Sequence, residues 1–195
     1  RHKNLMKIIA GVDEVGRGPW AGPVTACAVI LDPNNIPLRL NDSKKLNAKR
    51  RAILFEEIMG TSLVSYVHVD VDEIDKINIL QATFRAMERA VSKLPIPDHI
   101  LIDGNKLPPN LPSPATAIIR GDSKSASIAA ASIIAKVTRD RLMAKLSIEY
   151  PGYGWEKNAG YGTKMHQFGL LNNGVTPHHR RSFKPIHNML YSASP

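Results

Sequence analysis

The chain of 195 residues has a single cysteine, Cys27, so no internal disulfide can form. It has no Cys-x-x-Cys pair, which also argues against a structural zinc site. No apolar run approaches the roughly 18 residues that a membrane-spanning helix needs, and Arg1-His2-Lys3-Asn4-Leu5-Met6 lacks the hydrophobic region of a secretory signal. The expectation is a cytoplasmic protein with no membrane partner. Internal repeats and low-complexity tracts are missing too, which argues against a solenoid. Acidic residues run short at the C-terminal end, where residues 151–195 contain only Glu156 against five Lys and Arg.

What is present is a basic globular composition. The hydrophobic fraction of 43% excludes global disorder, and the length suits one domain or one domain with an appended subdomain. The formal charge is +9, and it is uneven. Residues 1–60 carry ten basic against six acidic side chains, residues 61–120 six against seven, and the ends are positive. A polyanion is the natural partner of such a surface, because each Lys or Arg set on a phosphate releases counterions. A basic balance kept for solubility is the plainer alternative.

Residues 7–13 read as a strand and residues 24–31, a continuous β-branched apolar run, as a second, separated by a loop containing Gly16, Gly18, Pro19, Gly22 and Pro23. Asn47 can cap a helix that runs to about Met59 and stops at Gly60, and residues 63–69 alternate as a third strand. Asn78 caps a further helix with Leu80, Phe84, Met87 and Val91 on one face. Residues 99–103 form a buried strand, residues 117–119 another, and a long helix covers residues 123–146. Strands alternating with helices predict an α/β layer with a mixed sheet, its first hairpin antiparallel and its later strands entering by crossover. Residues 1–150 make the expected core. Residues 151–195, punctuated by glycine and with a helix near 164–171, make a small C-terminal subdomain.

Four acids invite a chemical reading. Asp13 ends the first strand and Asp103 the fourth; parallel neighbours would bring both to one sheet edge, where open α/β sheets place their sites. Glu14 follows Asp13, and the glycines after it let the chain turn so that both can face one centre. Asp122 opens the long helix. Gathered carboxylates repel unless a cation lies between them, and an all-oxygen donor set without thiolate or a His-x-x-x-His pattern selects Mg²⁺ or Mn²⁺. Two such ions suit in-line displacement at phosphorus. Each acid also has a plainer reading: Asp122 as a helix cap, Asp103-Gly104 as a turn, Glu14 as a solvated loop residue. The glycine loop is a poor dinucleotide turn, since Pro19 stands where a helix should begin and another strand follows.

The string Gly11-Val12-Asp13-Glu14-Val15-Gly16-Arg17-Gly18-Pro19 with Ala21-Gly22-Pro23 resembles the ribonuclease HII family. The resemblance continues through Asp42-Ser43-Lys44-Lys45-Leu46, Asp103-Gly104-Asn105, Gly121-Asp122 leading into the run from Ser127 to Asp140, Gly160-Tyr161-Gly162-Thr163 and His179-Arg180-Arg181-Ser182-Phe183, in family order from about residue 8 to 184. It implies a ribonuclease H-like mixed sheet flanked by helices, with a helical C-terminal subdomain. The implied activity is a metal-dependent endoribonuclease acting on RNA–DNA hybrids and on ribonucleotides embedded in duplex DNA, cutting 5′ of the ribonucleotide to leave 3′-hydroxyl and 5′-phosphate ends. Asp13, Glu14, Asp103 and Asp122 would bind Mg²⁺ or Mn²⁺, two ions with substrate present; Asp140 competes for the fourth place but lies about 27 Å further along at helical rise.

The same resemblance implies that Gly16, Arg17 and Gly18 grip the ribonucleotide and sense its 2′-hydroxyl, that Tyr161 stacks on the following sugar, and that Ser43, Lys44 and Lys45 contact phosphate. His179, Arg180 and Arg181 would meet duplex backbone or neutralise the tail. Asn158-Ala159 departs from the His-Lys common before Gly-Tyr-Gly, so no phosphate contact is expected there. A monomer is expected. A silent nucleic-acid-binding protein and another nuclease or resolvase of the ribonuclease H-like class are the rival readings.

Overall fold

The computed structural model describes residues 6–192. Five strands form one mixed sheet in the order β3-β2-β1-β4-β5. They are β1 (Ile9–Val15), β2 (Val24–Ile30), β3 (Leu63–Val69), β4 (His99–Asp103) and β5 (Ala115–Ile118). β1, β2 and β3 pair antiparallel, while β4 joins β1, and β5 joins β4, in parallel. This is the mixed sheet expected from the alternation of elements.

β2 is buried along its whole length because helices cover both faces of the sheet. Val24, Ala26, Ala28 and Ile30 pack with Ala86, Met87 and Val91 of α3 (Ile79–Ser92). Cys27 and Val29 point the other way, onto α1 (Ala48–Thr61) and α5 (Ala126–Glu149). Complete burial of one such aliphatic side chain contributes about 1.5–3 kcal/mol. α5 lies closest to β1: a Cβ at Gly11 would stand 2.2 Å from the carbonyl carbon of Ser127, so only glycine lets the helix start directly over the strand. That contact brings the start of α5 to the edge where β1 and β4 end.

Local rules account for most helix ends. The side chains of Asn47 and Asn78 accept from the backbone N–H groups of Arg50 and Gln81, capping α1 and α3 as expected. Such caps are worth about 1 kcal/mol. Gly60, however, does not stop α1. It lies inside the helix, which runs one residue further, to Thr61, and ends at Ser62. The long helix expected over 123–146 is instead a short α4 (Gly121–Lys124) and then α5, broken at Ser125, whose hydroxyl accepts from Ile128 N–H. A short α2 (Val71–Ile77) precedes α3. On α3 the most buried face belongs to Ala82, Ala86, Met87, Ala90 and Val91; Leu80 and Phe84 are only half-buried and line a cleft beside Asp103.

Residues 151–192 carry α6 (Trp155–Asn158), α7 (Lys164–Asn173) and α8 (Lys184–Tyr191). Their buried side chains Tyr153, Trp155, Leu170 and Ile186 pack with Ala21 from the glycine loop and Met143 from α5. Trp20 N–H donates to Gly160, Gly22 N–H to His178, and Arg180 N–H to Trp20. The C-terminal segment thus holds the β1–β2 loop through backbone bonds.

Candidate active site

The site begins with the parallel register of β1 and β4. Val12 lies opposite Ile102, so Asp13 and Asp103 follow side by side where the two strands end. β1 continues through Val15, two residues beyond the point where the sequence suggested that the chain would leave the sheet. Glu14 nevertheless joins the two aspartates. One ligand oxygen from each of Asp13, Glu14 and Asp103 lies within 4.8 Å of the others. Asp13 Oδ1 accepts from Glu14 N–H at 2.8 Å, and Asp103 Oδ1 accepts from Gly121 N–H at 2.7 Å, which fixes the start of α4 beside β4.

Burial pushes the Asp13 carboxyl well above the usual carboxylate range, and the neighbouring Glu14 and Asp103 charges add to this. Glu14 is also raised, chiefly by burial. Glu14 Oε2 is buried without a hydrogen-bond partner among the described residues. Three convergent carboxylates with an orphaned buried oxygen suit a hard divalent cation, which would relieve the repulsion and occupy the free lone pairs.

Asp122 is nearby but arranged differently. It is not a helix cap, since Arg120 precedes α4 in that place, and it lies outside the group of three acids. Only 4% exposed, it meets Lys44 Nζ at 2.9 Å. Lys44 extends from the 3₁₀ turn Leu40–Lys45, and its own proton is held more tightly by the bond to Asp122, with Asp103 and Asp13 contributing. Lys45 is exposed. The Ser43 side chain lies outside the described residues. Asp140, the competitor for the fourth place, pairs with Lys136 across one turn of α5, at 3.1 Å.

Glu14 lines two clefts. One, of about 240 Å³, is bordered by Lys44, Arg51, Ser132 and Lys136; the other, of about 310 Å³, by Arg17, Leu80, Asp103, Asn105 and Lys106. The acids therefore sit between basic walls. Beyond them the glycine loop meets Tyr161, whose ring is so near that a Cβ at Gly18 would stand 3.1 Å from its Cε1. Tyr161 is 46% exposed, so its ring has an open face.

Several placements differ from expectation. His179 and Arg180 are fully buried, so neither meets a duplex backbone. Asn158, in the position where the family pattern departs, holds the turn before Tyr161: its side chain donates to Tyr153 O and accepts from Gly160 N–H. Sequence reasoning missed Arg139, which donates to the carbonyls of Pro23, Ala159 and Ala21. A signal existed. Ala131, Ala135, Arg139 and Met143 recur every four residues on the buried face of α5, an unusual place for a cation.

The ribonuclease HII family model matches residues 10–186. The chain belongs to the ribonuclease HII family. It is 61% identical to the ribonuclease HII of Ruegeria pomeroyi over 184 residues, covering 94% of this chain and 79% of that one. Against the ribonuclease HII of a Jannaschia species it is 58% identical over 189 residues, covering 96% and 95%. Among solved structures, the ribonuclease H2 of Pyrococcus horikoshii superimposes with a TM-score of 0.78 at 29% identity, covering 94% of this chain and 97% of that one. The sheet is therefore of the ribonuclease H type, and the family is one of endoribonucleases. Among the described residues, no helix is long and apolar enough to cross a membrane.

Proposed function

We propose that this endoribonuclease cuts the RNA strand of RNA–DNA hybrids and the 5′ side of ribonucleotides embedded in duplex DNA, leaving 3′-hydroxyl and 5′-phosphate ends. The observation that carries the reading is the convergence of Asp13, Glu14 and Asp103 within 4.8 Å beside the Gly18–Tyr161 contact. Asp13, Glu14 and Asp103 would hold Mg²⁺ or Mn²⁺ with Asp122 as the fourth acid, and Lys44, paired here with Asp122, would be available to a substrate phosphate. When bound, divalent ions of this kind lower the pKa of a coordinated water and stabilise the leaving oxygen of an in-line displacement.

Binding and discrimination belong to other residues. Lys44, Lys45 and Ser43 take the phosphate backbone, giving affinity that falls with salt and carries no sequence information. Gly16, Arg17 and Gly18 bring backbone against the ribonucleotide, and the 2′-hydroxyl, both donor and acceptor, is the one group there that separates RNA from DNA. The open face of Tyr161 takes the following sugar. The enzyme acts as a cytoplasmic monomer.

The test is a pair of end-labelled duplexes identical except for one ribonucleotide, incubated with Mg²⁺ and with EDTA. Cleavage is expected only 5′ of the ribonucleotide and only with the metal. Cleavage of the all-DNA duplex at a similar rate would move the chain to a general nuclease or resolvase, and binding without cleavage would make it a silent binder.

A further inference from the structure

Arg180 is fully buried and, among the described residues, makes no salt bridge with any carboxylate. Its guanidinium donates instead to four carbonyls of one loop: Gly16 at 2.6 Å, Arg17 at 2.9 Å, Gly22 at 2.9 Å and Pro23 at 3.1 Å. Arg139 grips the exit of the same loop at Ala21 and Pro23, and the chain just ahead of Tyr161 at Ala159. Burial, and the second guanidinium nearby, draw Arg180 down to about 9. Such a cation costs more to bury than a methionine of similar length, so packing alone does not explain its presence.

The geometry of the peptide bond supplies an explanation. In a trans peptide the C=O and the following N–H point in opposite directions. Arg180 draws the carbonyls of Gly16 and Arg17 inward, which turns the N–H groups of Arg17 and Gly18 outward. Neither amide has a protein acceptor among the described hydrogen bonds. Gly18 is the residue whose Cα faces the exposed ring of Tyr161.

We propose that Arg180 is a positioning residue for ribonucleotide recognition: by pinning the carbonyls of Gly16 and Arg17, it presents the N–H groups of Arg17 and Gly18 to a 2′-hydroxyl lodged beside Tyr161. This rests on the role given above to the glycine loop. Arg180 touches no substrate; it acts through the loop. Lysine cannot replace it, because an ammonium offers a compact point charge where the planar fork spans four acceptors.

The experiment compares Arg180→Lys with its parent, both carrying Asp13→Asn so that bound duplex is not cut. Dissociation constants are measured for a duplex with one ribonucleotide and for the matched all-DNA duplex, alongside melting temperature. Arg180→Lys is expected to hold the all-DNA duplex within about twofold of the parent and to lose at least about tenfold of the ribonucleotide preference. A preference that survives overturns the proposal even if the variant melts earlier, and so does an equal loss on both duplexes. If the parent itself has no preference, the reading of the loop fails first. Should the variant not fold, NMR of the parent decides. Hindered rotation of the Arg180 guanidinium, retained with the ribonucleotide duplex bound, supports the clamp, and free rotation overturns it.

Discussion

Asp13 and Asp103 end two parallel neighbouring strands side by side, one step beyond the Val12–Ile102 pair, and each carboxylate is tied to a backbone N–H. The sheet register, rather than any loop, sets their spacing. The strands bring like charges together at a cost in stability, which the raised pKa values of Asp13 and Glu14 register.

Removing one charge should therefore strengthen the metal-free fold. Asp13→Asn keeps an oxygen that can accept from Glu14 N–H while removing the Asp13 share of the repulsion and leaving only that between Glu14 and Asp103. Without metal at pH 8, it is expected to unfold about 2–4 °C later than the parent, the shift that about 1 kcal/mol gives in a chain of this size. Differential scanning calorimetry checks this, and a lower melting temperature would count against a repulsive cluster.

Divalent ions should produce the same relief, with a predictable pH dependence. Carboxyls whose folded pKa is raised contribute stability at low pH that is lost as pH rises through the folded value. Added Mg²⁺ or Mn²⁺ binds the ionised cluster and offsets that loss, so the metal-induced rise in melting temperature should be larger at pH 8 than at pH 5.5. Asp13→Asn should reduce the rise at both. Thermal melts with and without metal across this range provide the check.

The ring of Tyr161, rather than its hydroxyl, is expected to matter, since it is the ring that stands against Gly18 in the glycine loop. Tyr161→Phe should cleave a ribonucleotide-containing duplex within about twofold of the parent. Tyr161→Ala should lose on the order of 1–3 kcal/mol, the range typical of a stacked ring. Steady-state kcat/KM for the three proteins tests the contrast, and equal losses in both variants would assign the role to the hydroxyl.

Acid should weaken the support beneath Tyr161. Thr176 N–H donates to His179 Nδ1, and His166 Nδ1 meets Tyr161 O, which leaves the two Nε2 atoms sharing one proton across 2.8 Å. Burial and the neighbouring histidines push His179 down to about 3, and burial lowers His166. The unfolded chain binds more protons between about pH 6.5 and 3, so stability present above 6.5 is lost as pH falls toward 3. Urea unfolding at stepped pH should show a shallower acid slope in His179→Gln than in the parent. The acid cluster is common to both and cancels in the difference; identical slopes would contradict the prediction.

Much of this arrangement was readable because it is local. Asn47 and Asn78 announce helix starts through cap chemistry, and the apolar run after Pro23 announces a strand covered on both faces. The meeting of Asp13 and Asp103 follows from parallel crossover. What was not readable depends on distant acceptors. Arg180 bonds to carbonyls some 157 to 164 residues away, so in sequence it looks like one more surface cation. The pairing of Lys44 with Asp122 had no local signal either, since 78 residues separate the two. The break at Ser125 was hidden by helix-compatible residues on both sides, and the orientation of α4 is fixed by Asp103 through the bond to Gly121.

The central claim is that the gathered acids hold the ions that cut beside a ribonucleotide. Single-turnover cleavage of a duplex carrying one ribonucleotide, followed for the parent and Asp13→Asn over a Mg²⁺ titration, tests it most directly. The account predicts saturable metal activation of the parent, and in Asp13→Asn a rate at least about a hundredfold lower, roughly 2.7 kcal/mol of barrier, with duplex affinity retained. A variant that cuts as fast as the parent, or a parent indifferent to Mg²⁺, would contradict it.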